Sequence, residues 1–248
     1  MDKNNKLVAL VTGATGGIGS AICKKLADQG YTVVANYRNL AKAQEWQNAM
    51  KAAGYNFAIF EGDVTSYESV GGMVAKIEAE VGSVDILVNN AGITKDGRFL
   101  KMSPEQWREV MSTNLDSVFN CTRHVIGKMV ERGFGRIINI SSVNGQRGQF
   151  GQTNYSAAKA GMHGFTKSLA MEVADKGVTV NTLSPGYIGT DMVMAVKEEI
   201  RNQIIAGIPV KRLGTPDEIA SAVVYLSSDA AGFMTGANLS INGGQHVY

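Results

Sequence analysis

The fold is decided by the stretch Leu7-Val8-Ala9-Leu10-Val11-Thr12-Gly13-Ala14-Thr15-Gly16-Gly17-Ile18-Gly19. Its first half is a short apolar run typical of a buried strand, and its second half is a glycine-rich turn that opens an amphipathic segment. Glycines let a backbone turn tightly and approach a pyrophosphate, while a helix N-terminus offers unpaired N–H donors. Many loops carry three glycines for turn geometry alone, but this strand-turn-helix context predicts a nucleotide site.

Apolar, β-rich runs alternate with segments of helical length along the rest of the chain. Strands are predicted at Leu7 to Thr12, Thr32 to Asn36, Asn56 to Gly62, Asp85 to Asn89, Gly135 to Ser141, Val178 to Leu183 and Asn238 to Ile241. Helices are predicted at Gly17 to Gln29, Leu40 to Ala53, Tyr67 to Val81, Pro104 to Arg132, Tyr155 to Lys176 and Pro216 to Ser227. The pattern predicts one α/β domain over residues 1–248, a doubly wound sheet of seven mainly parallel strands with helices on both faces.

Two local signals refine this prediction. Ser103-Pro104-Glu105-Gln106 is typical of a helix start, with Ser at the N-cap and Gln at N3. The least regular segment, 186–214, follows the sixth strand, and ligands bind beyond the carboxyl ends of such strands. It is equally well interpreted as a substrate lid or as a short structural helix pair.

Composition excludes several functional classes. The formal net charge is only +2 and the basic residues form no run, so a nucleic-acid-binding surface is not predicted. The N-terminal apolar run is too short for a secretory segment or a membrane span, so no membrane partner and a cytoplasmic location are expected. Cys23 and Cys121 lack CxxC spacing and fit a reducing compartment. The three histidines share no ligand spacing, so no metal site is predicted.

The end of the second strand indicates which nicotinamide cofactor binds. An acidic residue there would bind the ribose 2′-hydroxyl of NAD, but Asn36-Tyr37-Arg38-Asn39 has none. Arg38 would instead face a 2′-phosphate, which predicts NADPH/NADP+; a solvated surface arginine is the alternative. Asp63 and Val64 end the third strand, and Asn90, Ala91 and Gly92 follow the fourth, so both groups are expected to wall the adenine and ribose.

Tyr155 and Lys159 form the strongest chemical signal. Residues four apart share one helix face, so an ammonium is expected beside a phenol. A neighbouring positive charge typically lowers such a pKa, which predicts a usable acid. Ser142 lies thirteen residues before Tyr155. Ser141 is an alternative, since either serine is placed to cap the strand end, but the spacing favours Ser142.

Together these residues resemble the short-chain dehydrogenase/reductases, whose signatures are TGxxxGxG, NNAG and an active-site Ser with Tyr-xxx-Lys. The resemblance spans nearly the whole chain and implies a Rossmann-type fold. It implies that Tyr155 donates a proton, Lys159 lowers the Tyr155 pKa and binds the nicotinamide ribose, and Ser142 polarises the carbonyl. It further implies that Asn114 holds a relay water. The cofactor-binding positions are then Gly13, Thr15, Gly16, Gly17, Ile18, Gly19, Arg38, Asp63, Val64, Asn90, Ala91, Gly92, Tyr155, Lys159, Pro185, Gly186, Ile188 and Thr190.

Within this family the chain is most similar to the NADPH-dependent acetoacetyl-CoA reductases of polyhydroxyalkanoate (polyhydroxybutyrate) synthesis, through residues 144–154, 92–96 and 243–246. This implies reduction of acetoacetyl-CoA to (R)-3-hydroxybutyryl-CoA. The loop 144–154 joins the catalytic serine to the tyrosine, so its side chains are expected to line the site. The substrate residues implied are Asp96, Ser142, Gln149, Phe150, Gln152 and Tyr187; satisfying the loop backbone is the alternative role for the polar ones.

A 3-oxoacyl-[acyl-carrier-protein] reductase of fatty-acid synthesis is the close alternative, because it shares the catalytic residues. Such reductases resemble this chain in having an arginine at position 132. Their second expected arginine, before Glu172, is replaced here by Met171, which weakens docking of an acidic carrier protein. Lys95, Arg98, Lys101 and Arg147 stay open as ligands for the CoA phosphates. A remote alternative is an inactive NADP-binding scaffold or sensor. The resemblance also implies a homotetramer built from the Pro104 and Tyr155 helices and the C-terminal strand region.

Overall fold

A computed structural model of the chain describes residues 6–247, apart from the side chain of Met192. The first five residues and Tyr248 of the predicted 1–248 domain lie outside the described residues. The strands are β1 Val8–Val11, β2 Thr32–Tyr37, β3 Ala58–Glu61, β4 Val84–Asn89, β5 Gly135–Ile140, β6 Val178–Pro185 and β7 Asn238–Ile241. They form one sheet of order β3-β2-β1-β4-β5-β6-β7, in which every pair is parallel. The predicted fold class is confirmed.

The helices cover both faces of this sheet. They are α1 Gly17–Asp28, α2 Leu40–Ala52, α3 Tyr67–Glu80, α4 Pro104–Met111, α5 Ser117–Arg132, α6 Asn144–Arg147, α7 Thr153–Val173, α8 Asp191–Met194, α9 Glu198–Ala206 and α10 Pro216–Ser227. Side chains alternate along a strand, so Ala9 and Val11 pack with α1 and α10 while Val8 and Leu10 pack with α3 and α5. The sheet is therefore buried between two apolar layers, which explains its continuous hydrophobic strands.

The predicted helix from Pro104 to Arg132 begins and ends as expected, but its middle is different. Residues Ser112–Asp116 form a π-helical segment between α4 and α5, and such segments occur often at functional sites. The start is confirmed in detail, since Ser103 and Gln106 make the reciprocal bonds of a capping box. The helix predicted from Tyr155 begins two residues earlier, at Thr153, and α6 was not predicted. Segment 186–214 contains the short helices α8 and α9.

Candidate active site

A cleft of about 570 Å³ opens at the carboxyl ends of β1, β4, β5 and β6. Strand order reverses between β1 and β4, so the cleft lies where open α/β sheets bind ligands. Its lining contains Gly13, Thr15, Gly16, Gly17, Ile18, Gly19, Asn90, Ala91, Gly92, Ser142, Gln152, Tyr155, Lys159, Pro185, Gly186, Tyr187, Ile188 and Thr190. The fold therefore brings most of the predicted cofactor and catalytic residues to one cavity.

The glycine turn forms one end of the cleft. Gly13 has φ +60°, and a Cβ there would stand 2.9 Å from Ala91 Cα. A Cβ on Gly19 would collide with the Gly13 carbonyl oxygen. The N-terminus of α1 has no side-chain cap and no acidic residue in its first turn, so its N–H groups and positive dipole end face the cleft. This backbone cradle fits a dinucleotide pyrophosphate.

Lys159 lines the cleft, and Asn114 lies behind the lining; both side chains are close to Gly92. Lys159 is buried, and its Nζ donates a hydrogen bond to the Ile140 carbonyl oxygen at 2.7 Å. Asn114, also buried, sits in the π segment and uses both ends of its amide on the Ile93 backbone, at 2.8 and 2.9 Å. A Cβ on Gly92 would lie 3.3 Å from Asn114 Oδ1 and 3.5 Å from Lys159 Nζ. The Asn114 and Lys159 side chains therefore both contact the space beside Gly92.

The structure separates the roles of the two adjacent serines. Ser141 is buried, and its Oγ donates to the Lys159 carbonyl oxygen at 2.9 Å while it also meets His163. Ser142 lines the cleft together with Tyr155, and its hydroxyl is near enough to the phenol to lower the Tyr155 pKa. Ser141 thus ties β5 to α7, and Ser142 is the serine that faces the phenol, as its spacing from Tyr155 predicts.

The prediction that Lys159 lowers the pKa of Tyr155 is wrong for the chain in this structure. Burial raises the pKa of Tyr155 above its ordinary value, the hydrogen bond from Ser142 lowers it, and the charge of Asp96 raises it. Burial also lowers the pKa of Lys159 to about 7. Loss of hydration disfavours both charged forms, and it outweighs the attraction that the four-residue spacing suggests.

Three residues predicted for the adenosine end, Arg38, Asp63 and Val64, are absent from the described cleft lining. They follow the carboxyl ends of β2 and β3, where Gly62 N–H donates to the Tyr37 carbonyl oxygen at 2.9 Å, and Val64 packs into the core. Burial raises the pKa of Asp63, but hydrogen bonds from Thr65 and the charge of the exposed Arg38 hold it below its usual value. Arg38 is therefore close enough to influence this carboxylate and is solvent-accessible.

Three of the six predicted substrate residues, including Ser142, line the cleft, and the other three lie outside its lining. Tyr187 and Gln152 line it, whereas Asp96, Gln149 and Phe150 are not among the lining residues. Phe150 is 80% exposed, and the Arg98 guanidinium lies 5.5 Å from its ring centroid. Asp96 accepts hydrogen bonds from Gln152 at 3.0 and 2.9 Å. The loops 92–98 and 149–154 therefore meet at one edge of the opening.

Sequence reasoning missed several residues that shape this site. Asn144 was noted only as part of the loop, yet its buried side chain lines the cleft and donates to Gln152 at 2.9 Å. Gln245, near the C-terminus, accepts the Tyr187 N–H at 3.0 Å. Both residues lie in stretches that carry the resemblance, but the sequence assigns neither a role, because their partners lie eight and 58 positions away.

Comparisons with known proteins agree with this geometry. A family model described as enoyl-(acyl carrier protein) reductase matches residues 13–246. The chain belongs to the short-chain dehydrogenase/reductase family, a family of oxidoreductases. The described residues contain no group of three or more metal-ligating side chains. No helix among residues 6–247 has the length and apolar character needed to span a membrane.

The most similar relatives include an acetoacetyl-CoA reductase of Allochromatium vinosum, 59% identical over 97% of this chain and 99% of the relative. Nodulation protein G of Azospirillum brasilense is 61% identical over 96% of this chain and 97% of the relative. A 3-oxoacyl-[acyl-carrier-protein] reductase of Vibrio cholerae is 47% identical, covering 97% of each chain.

Proposed function

We propose that the chain reduces acetoacetyl-CoA to (R)-3-hydroxybutyryl-CoA with NADPH. The observation that carries this proposal is one cleft in which a glycine-built pyrophosphate cradle adjoins the Ser142, Tyr155 and Lys159 side chains. The relatives named acetoacetyl-CoA reductase, such as that of Allochromatium vinosum at 59% identity, support the substrate. The intact set of reactive side chains speaks against an inactive scaffold.

In this mechanism the bound NADPH supplies the hydride to the ketone carbon. Ser142 donates a hydrogen bond to the carbonyl oxygen and orients it beside Tyr155, which transfers its hydroxyl proton to that oxygen as negative charge develops. A raised pKa keeps the phenol protonated at neutral pH, the form that a donor needs. Lys159 holds the nicotinamide ribose, and Asn114 fixes the adjacent Ile93 backbone.

The cofactor preference depends on Arg38. We assign this exposed guanidinium to the 2′-phosphate of NADPH, with Asp63 and Val64 beside the adenine. Pro185, Gly186, Ile188 and Thr190 line the opposite wall of the cleft and are assigned to the nicotinamide. Segment 186–214 acts as a lid in this proposal, because Thr190, Asp191 and Val193 border the cleft directly.

Two residues favour a CoA thioester over a carrier-protein thioester. Met171 is 84% exposed and carries no charge for an acidic partner. The Arg132 guanidinium is engaged by Asp85 at 3.0 Å and by the Val84 carbonyl oxygen at 2.8 Å, at the amino end of β4. An arginine held in this way contributes less to docking than one with free donors. The carrier-protein reductase activity remains the second candidate.

The deciding experiment measures kcat/KM for acetoacetyl-CoA and for acetoacetyl carrier protein, each with NADPH. We expect a clear preference for the CoA thioester. A preference for the carrier-protein thioester would replace this proposal with the second candidate, and no NADPH oxidation with either would favour a scaffold.

We further propose that the active form is a cytoplasmic homotetramer. An apolar groove between α5 and α7 supports this assembly; Phe119, Ile126, Val130, Phe165 and Leu169 line it. Phe119 is 51% exposed in the single chain, and a second copy would cover it. Sedimentation that gives a monomer would refute the assembly.

A further inference from the structure

Gln152 connects the rim of the cleft to its reactive centre. Its Nε2 donates to both carboxylate oxygens of Asp96, at 3.0 and 2.9 Å, and its Oε1 accepts from Asn144 Nδ2 at 2.9 Å. The Asn144 backbone N–H donates to Ser142 Oγ at 3.1 Å, and Ser142 lines the cleft together with Tyr155. Hydrogen bonds therefore link the exposed Asp96 carboxylate to the Asn144 side chain, and the backbone of the same Asn144 contacts the Ser142 hydroxyl.

The position of Gln152 at the start of α7 also indicates that its side chain serves the contact with Asp96 and Asn144. Gln152 is the N-cap residue of α7, a position at which Ser, Thr, Asp or Asn normally accepts an N–H of the first turn. Its side chain makes no such bond. The amide is turned instead toward Asp96 and Asn144, so the helix gives up a capping interaction and gains a contact with the loop that carries Ser142.

The Asn144 side chain needs this support. Asn144 is only 8% exposed, and its Oδ1 has no hydrogen-bond partner among the described residues. The Gln152 oxygen is the acceptor that fixes its Nδ2 end. Because the Asn144 N–H occupies one lone pair of Ser142 Oγ, it restricts how the Ser142 hydroxyl can turn within the cleft. The bond to Gln152 anchors the Asn144 side chain, and through it the backbone N–H that donates to Ser142.

We propose that Gln152 is a positioning residue, held by Asp96, that sets the orientation of the Ser142 hydroxyl through Asn144. The inference rests on the proposed roles of Ser142 and Tyr155, but not on the identity of the thioester. Two further bonds join the same loops without Gln152: Gly97 N–H to the Gly151 carbonyl oxygen at 2.8 Å, and Asn154 Nδ2 to the Lys95 carbonyl oxygen at 3.1 Å. Substitution of Gln152 should therefore leave the loops in place.

The test uses the full-length enzyme and a charge exchange. Gln152→Glu sets two carboxylates against each other, whereas the double variant D96N/Q152E restores a donor opposite an acceptor and keeps the acceptor for Asn144. For Q152E we expect kcat to fall at least about 10-fold, since a small misplacement of a reacting group has a large cost. The thermal midpoint and the Kd for NADPH should change little. The double variant should regain most of the lost kcat.

Two ketone substrates separate positioning from direct substrate contact. The loss of kcat should be the same with acetoacetyl-CoA and with ethyl acetoacetate, which has no CoA group. Gln47→Glu is the matched control, because this remote glutamine also makes one amide hydrogen bond, to the Phe57 carbonyl oxygen at 2.7 Å; its kcat should equal that of wild type.

Two results would overturn the inference: an increase in KM for acetoacetyl-CoA alone, or a double variant no better than Q152E. If the wild-type enzyme reduces ethyl acetoacetate but not acetoacetyl-CoA, the proposed substrate is wrong, while the kcat ratio of Q152E to wild type on the small ketone still tests Gln152.

Discussion

The two ends of the cleft differ in whether backbone groups or side chains form them. At the cofactor end, one contiguous stretch from Gly13 to Gly19 presents backbone N–H groups and a helix dipole. At the substrate end, Asp96 comes from one loop and Asn144 and Gln152 from another, and they act through side-chain hydrogen bonds. A backbone cradle can be recognised in the sequence as a contiguous glycine motif. A network of side chains from distant positions can be recognised only in the folded chain.

The largest effect is expected at the side-chain end, from Tyr155→Phe. This change keeps the half-buried ring and removes the proposed proton donor, so kcat should fall at least about 10²-fold with NADPH affinity unchanged. Steady-state kinetics with acetoacetyl-CoA, together with fluorescence titration of NADPH, measure both quantities. A variant with near-normal turnover would show that the proton comes from elsewhere.

Arg38→Glu tests whether a side chain also matters at the cofactor end. Replacing a donor to the 2′-phosphate by a carboxylate removes a charge-assisted hydrogen bond and adds repulsion. The ratio of kcat/KM for NADPH to that for NADH should fall about 10- to 100-fold, which corresponds to a bond of about 1.5 to 3 kcal/mol. An unchanged ratio would mean that Arg38 is only a solvated surface residue.

Lys159→Met should stabilise the fold, although it removes a proposed active-site group. The pKa of Lys159 is lowered from 10.5 to about 7 by burial, so between these values the unfolded chain binds more protons than the folded chain. Stability then rises with pH across this window, and the penalty is complete below pH 7. The gain in unfolding free energy should be about 2.7 kcal/mol larger at pH 6 than at pH 9.

Denaturant titration of the Lys159 variant and wild type at both pH values measures this difference. Equal gains at the two pH values would contradict a lowered Lys159 pKa in the folded protein.

Gly13→Ala is the smallest single change, one methyl group at the backbone-built end. The residue would have to adopt φ +60° with its Cβ 2.9 Å from Ala91 Cα, so the turn must shift. We expect the Kd for NADPH to rise about 10-fold, equivalent to about 1.4 kcal/mol of strain and lost contacts. Gly72→Ala, which has open space on the exposed face of α3, is the control. Equal Kd values in the two variants would argue against the cradle.

The same contrast explains what the sequence could predict. The alternating pattern was enough for the parallel sheet, and helix caps such as Ser103 followed from local chemistry. The cleft lining around Gly13 to Gly19 followed from one motif. The pKa values of Tyr155 and Lys159 could not be predicted in this way. The four-residue spacing indicates only that the two side chains are close. Their charge is decided by burial, which depends on the packing of β5 against α7. The Asn144 to Gln152 bond likewise depends on how a whole loop is folded.

The π-helical segment Ser112–Asp116 has a consequence for insertions and deletions in this chain. A π turn amounts to one residue added to an α-helix, and each added residue rotates the following helix by about 100°. Deleting a single residue here could restore a regular helix from Pro104 to Arg132. The same deletion would swing Asn114 away from the Ile93 backbone or turn the α5 groove face away from α7. The contacts of Asn114 with Ile93 and of α5 with α7 therefore constrain the number of residues in this five-residue segment, apart from their identity.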